Sequence, residues 1–93
     1  MSYDIVWTTK FKKDYKRAMK RNWNIDLLDE VIRMLAAGQT LPPIYRDHAL
    51  IGNFKGCREC HVGNDWLLMY YYEENELVLT LLETGSHADL FGK

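Results

Sequence analysis

A chain of 93 residues, 47% hydrophobic and 27% charged, suits one small-cored domain over residues 1–93 and argues against disorder. Its formal net charge of −1 gives no bulk attraction to nucleic acid or an anionic membrane. No apolar run approaches the roughly 18 residues that span a bilayer, and the start, Met1 to Trp7, lacks a basic segment leading into a long apolar one. The expectation is a cytoplasmic protein with no membrane partner, with Cys57 and Cys60 as free thiols.

Tyr3 to Trp7 reads as a first strand. Thr8 or Thr9 can cap a following helix, in which Phe11, Tyr15, Ala18 and Met19 make one apolar stripe. Seven of the twelve basic residues fall between Lys10 and Arg21, on the other faces of that helix. Residues 1–46 hold nine Lys/Arg against five Asp/Glu, and residues 47–93 three against eight. Such polarity fits a solvated helix face or a phosphate-binding patch. Asn22-Trp23-Asn24 breaks the helix. A second helix starts near Asn24 to Asp26, with Asp26, Asp29 and Glu30 near the end where the helix dipole favours negative charge. Leu28, Val31, Ile32 and Leu35 form its apolar face. Gly38 suits the position after its end, and Pro42-Pro43 forbids continuation. The two helices read as a hairpin.

Residues 39–53 form a loop that is long for so small a domain, a common place for function. Three strand-like runs follow, 54–62, 66–72 and 77–82, joined by short polar turns into an antiparallel meander. Ser86 and Asp89 then resemble a capping box with Asp in place of Glu. It would open one last helical turn whose Leu90 and Phe91 dock on the body. The order βααβββ predicts an α+β domain, a helical hairpin packed on an antiparallel sheet.

Cys57-Arg58-Glu59-Cys60-His61 matches the C-x-x-C-H pattern of covalent haem attachment. In a strand, however, Cys57 and His61 share one face while Cys60 takes the other, so the three do not converge on one haem, metal or redox centre. The three histidines are the stronger signal. His48 lies in the long loop, His61 closes a strand before the turn carrying Asp65, and His87 follows the last strand. Imidazoles titrate near neutrality and can act as base and acid in one reaction, and a carboxylate can orient one of them. Position alone does not separate this role from that of ordinary surface histidines.

The segments Tyr45-Arg46-Asp47-His48-Ala49-Leu50, Arg58-Glu59-Cys60-His61-Val62, Asp65-Trp66 and Gly85-Ser86-His87-Ala88-Asp89-Leu90-Phe91 resemble the YafQ family of bacterial toxins, within the RelE/ParE superfamily. The similarity covers nearly the whole chain and its βααβββ order. It implies the toxin of a type II toxin–antitoxin pair: an endoribonuclease that cuts mRNA on the ribosome, without cofactor or metal, and is held inactive by a cognate antitoxin. His48, His61, Asp65 and His87 become the catalytic candidates by matching motif. Trp66 and Phe91 become supporting or RNA-contacting residues. Arg46, Arg58 or a helix lysine would supply positive charge to the phosphate, and Lys12, Lys13, Lys16 and Lys20 would dock on ribosomal RNA. Relatives commonly carry an arginine just before the Thr84-Gly85-Ser86-His87 element, where this chain has Glu83. A glutamate there repels a transition-state phosphate. The alternative expectation is therefore a binding module of weakened or lost nuclease activity, acting with its antitoxin as a transcriptional co-repressor.

Overall fold

The computed structural model describes residues 2–92. Strand β1 (Asp4–Trp7) leads into helices α1 (Thr9–Lys20) and α2 (Ile25–Ala36). After a 3-10 turn at Pro43–Tyr45 come β2 (His48–Ala49), a second 3-10 turn at Gly52–Phe54, β3 (Arg58–Gly63), β4 (Trp66–Glu73), β5 (Val78–Gly85) and α3 (His87–Phe91). Among the described residues no helix is long and apolar enough to cross a membrane.

The expected α+β architecture is present, with one correction to the sheet. It has five strands in the order β1-β5-β4-β3-β2 and is mixed. Strands β2 to β5 pair antiparallel, but β1 lies parallel to β5, with Ile5 opposite Leu79 and Trp7 opposite Leu81. A parallel partner needs a crossover, and the α1–α2 hairpin begins that connection. Two boundaries also differ. Residues 54–57 are not strand, since Gly52–Phe54 coils into the 3-10 turn before β3 begins. His48 and Ala49, expected in loop, form a two-residue edge strand against Arg58 and Glu59.

Local chemistry explains the helices. The Thr8 hydroxyl accepts from the Phe11 amide at 3.0 Å and donates to the Leu81 carbonyl, so the cap also pins α1 to β5. Asn24 caps α2, and Gly38 follows it at φ +74°, a left-handed turn that favours glycine. Leu28, Val31, Ile32 and Leu35 are buried as their spacing predicts. On α1 the stripe shifts: Met19 is exposed and Asp14 is buried in its stead. Asp14 is tolerated there because it accepts from the Thr84 amide and from Lys10, and faces Arg17 at 3.2 Å.

Both helices cover one face of the sheet. Phe11, Leu28, Val31 and Leu35 pack there with Cys60, Leu68, Tyr70, Leu79 and Leu81. Strand alternation turns Glu59, His61, Leu67 and Met69 to the opposite face. Phe54 lines a shallow pocket with Met69 and Leu82 on that side and meets Phe91 edge-on at 6.1 Å. Register shifts occur beside His61 in β3 and after Met69 in β4, the second leaving Leu82 unpaired in β5. Such irregularities re-aim side chains locally.

Candidate active site

The three histidines come together. Ring centroids of His48 and His61 are 6.4 Å apart and those of His61 and His87 6.2 Å, so His61 is the middle of a row on the face away from α1 and α2. Residues from three distant parts of the chain meet because β2 lies beside β3, and the Leu67–Gly85 pairing brings the end of β5 beside the β3–β4 turn.

Each ring is held differently. The His87 Nδ1 is 2.6 Å from Asp65 Oδ1, which also accepts from the His87 amide at 3.0 Å. These two His87 contacts hold the Asp65 carboxyl below the usual carboxylate range, the amide's being the larger. With Nδ1 engaged, Nε2 of His87 is the nitrogen left for chemistry. Asp65 itself sits at φ +50° in the tight turn, a conformation Asp tolerates better than most residues. The His48 Nδ1 lies 2.7 Å from the Arg46 carbonyl, which marks it as the N–H, and its Nε2 is 3.5 Å from Glu59 Oε1. His61 is pushed below its ordinary value, first by burial and then by the Arg46 charge, with Glu59 opposing. A neutral imidazole therefore stands in the centre of the row near neutral pH.

Two residues that sequence reading missed belong here. Glu59 is 6% exposed and its Oε2 has no hydrogen-bond partner among the described residues. Its signal was available, because residues two apart on a strand share a face and Glu59 is two before His61. Phe54 joins Phe91 in an aromatic wall next to His87, whose ring is 6.4 Å from that of Phe91. Nothing local in the sequence marks Phe54.

One expected role is narrowed, one is corrected, and the docking lysines are placed away from the histidine row. Trp66 is 5% exposed, meets Trp23 at a tilt on the helix side and donates its indole N–H to the Thr84 hydroxyl at 2.9 Å. It supports the frame and offers no surface to RNA. Arg58 also lies on the helix side, since it alternates with His61 along β3. It donates to Asp47 Oδ2 through Nε and Nη2 at 3.1 and 2.8 Å, and the Tyr70 hydroxyl donates to the other Asp47 oxygen. Arg58 thus cannot lend its charge to the histidine row. Lys12, Lys13, Lys16 and Lys20 are exposed along α1, which packs against the opposite face of the sheet from the histidines.

Arg46 and Phe91 remain at the site. Arg46 adopts a left-handed backbone, φ +48°, and with His61 lines a cleft of about 450 Å³. Glu83 is in register with Met69 on the histidine face of the sheet, its Oε1 3.4 Å from Lys10 Nζ, which also binds Asp14.

The sequence profile described as "Bacterial toxin of type II toxin-antitoxin system, YafQ" matches residues 3–92. The chain is similar to the mRNA interferase toxin YafQ of Escherichia coli strain K12, 38% identical over 90 residues that span 96% of each protein. Among solved structures it resembles a chain of the E. coli DinJ-YafQ toxin-antitoxin complex, with TM-score 0.89, 36% identity, and coverage of 99% of this chain and 100% of that one. It also resembles a metal-bound toxin from Helicobacter pylori, with TM-score 0.90, 42% identity, and coverage of 98% and 100%.

Proposed function

The chain belongs to the YafQ family of bacterial type II toxins, and from that premise we propose that its histidine row cleaves mRNA on the ribosome by metal-independent acid–base chemistry. The observation that carries the proposal is the row itself, His48–His61–His87, with Asp65 fixed on its outer ring.

RNA brings its own nucleophile. A base takes the proton of a ribose 2′-OH, the oxygen attacks the adjacent phosphorus, and an acid gives a proton to the departing 5′ oxygen. His61, neutral and central, serves as the base. His87, aimed by Asp65, presents Nε2 to the leaving oxygen. His48 and Arg46 flank the phosphate, where Arg46 offsets the charge that builds in the transition state. Phe91, half-exposed beside His87, offers a face on which a base can stack. The products are a 2′,3′-cyclic phosphate and a 5′-hydroxyl. The partner is a cognate antitoxin, as the DinJ complex of the E. coli relative suggests by similarity.

Expression from a tight promoter in bacteria, with new mRNA 5′ ends mapped, tests the proposal. Growth arrest with in-frame cuts bearing 5′-hydroxyls, lost in His87→Ala, is the expected result. Ends bearing 5′-phosphate and 3′-hydroxyl would overturn the chemistry, and cuts that persist in His87→Ala would overturn the assignment.

One observation favours a second reading, a weakened nuclease that acts mainly with its antitoxin as a co-repressor. Glu83 places a carboxylate on the histidine face, and Lys10, shared with Asp14, only partly offsets it. Glu83→Arg should then raise kcat/KM on RNA about tenfold, a fraction of what one well-aimed oxyanion donor contributes. Unchanged activity would show that position 83 does not feel the phosphate.

A further inference from the structure

The histidine row leaves a neighbouring feature unexplained. The cleft of about 450 Å³ is lined by His61 but by neither His48 nor His87, and its other walls come from α2, the Pro43–Tyr45 turn and the β3–β4 turn. Its volume falls within the range of small-ligand sites, which combine apolar walls with a few placed polar groups. Here the walls are Leu27, Ile44, Tyr45 and Val62, and the polar groups include Arg46 and Asp65. Ile44 is 81% exposed and Leu27 42%, an apolar lip that costs free energy in water if nothing covers it. Two of the four described non-glycine residues at positive φ, Arg46 and Asp65, stand on this cleft. A left-handed arginine is a costly conformation, and such conformations persist where a site needs them.

We propose that this cleft is a nucleobase subsite, holding an unstacked base of single-stranded RNA next to the phosphate at His61. The inference rests on the nuclease reading above and adds where the substrate strand lies. The occupant follows from the chemistry of the walls. A flat apolar ring fits between Ile44, Leu27 and the Tyr45 side, as splayed-out bases fit apolar and aromatic walls elsewhere. The cation belongs at the inner end, where Arg46 can reach the phosphate that joins this nucleotide to the next. Both His87 contacts of Asp65 fall on Oδ1, so Oδ2 keeps its acceptor capacity for a base edge. An apolar protein segment would gain the same lip but would have no use for Arg46 at its inner end.

A 2′-deoxy trinucleotide carries the bases and phosphates but no 2′-OH, so it binds without being cut. Titrated into the full chain, it should shift the amide NMR signals of residues 44–46 and 61–65 together with those of residues 87–91. Ile44→Asp, at an exposed position that the fold does not need, should remove the shifts at 44–46 and weaken binding about fivefold to tenfold. Leu27→Ala, which only shaves the lip, should weaken it about twofold to threefold. Shifts at residues 87–91 with none at 44–46 would overturn the subsite and leave the nuclease reading standing. Shifts at neither place, at millimolar trinucleotide, would remove both. Binding untouched by Ile44→Asp would also overturn the subsite.

Discussion

At the scale of single residues, the site depends on how burial and charge divide the three imidazoles. His61 binds a proton less readily in the folded chain than in the unfolded one, where its value is near 6.5. The unfolded state therefore binds more protons across the window below that value. Its contribution to stability is fully present above pH 6.5 and is lost as pH falls through the depressed folded value. The same displacement fixes an activity limb. If His61 is the base, kcat/KM should fall on the acid side with a midpoint below 6.5. A midpoint above that value would move the base elsewhere in the row. The catalytic candidates were legible from the sequence because a motif marks them. The faces of their neighbours were legible only by parity: alternation along β3 turns Arg58 away from His61 and Glu59 toward it, which a motif carried over as a string does not convey.

At the scale of elements, the β5–α3 junction sets the position of His87. Ser86 caps α3 through Asp89, and the Asp89 carboxylate accepts in return from the Ser86 amide and, at 2.6 Å, from Arg21, the residue that closes α1. The Arg21 guanidinium, foremost, holds Asp89 well below the usual carboxylate range. Arg17 donates to the Thr84 carbonyl. Gly85 passes through the middle of this network at φ +156°, where an added Cβ would come within 2.8 Å of Asp89 Cβ and of Arg17 Nη2. Gly85→Ala should therefore cost about 1–3 kcal/mol of stability and lower kcat/KM further by shifting His87. Thermal unfolding and single-turnover cleavage measure the two effects separately, and a variant as stable and active as the parent would show that the junction yields freely. The capping box was readable from Ser86 and Asp89. The tie to α1 was not, because it joins residues 68 apart that no local pattern relates. The parallel placement of β1 was hidden for the same reason: its residues say strand, but not beside which.

At the scale of the whole molecule, charge is divided between the sheet's faces. The exposed lysines of α1 and the histidine row lie on opposite sides, so one RNA strand cannot simply run from one to the other. Docking on ribosomal RNA and cutting mRNA would then use separate surfaces. Replacing Lys12, Lys13, Lys16 and Lys20 by Gln should weaken ribosome association and flatten its log–log salt dependence by about 3, given four phosphate contacts. Cleavage per ribosome-bound toxin should change far less. Association that is unchanged at low and moderate salt would take the lysines out of docking.

The pairing of β1 with β5 carries a consequence for synthesis. Asp4 waits for Val78 and Trp7 for Leu81, so the first strand made has no neighbour until the last strand has left the exit tunnel. His87 is made later still. Chains emerge at about 5–20 residues per second, and through that interval the nascent polypeptide has neither a closed sheet nor an assembled histidine row. The row is thus completed by its outermost histidine, which is made after His48, His61 and Asp65 and can join them only once β5 has paired with β4.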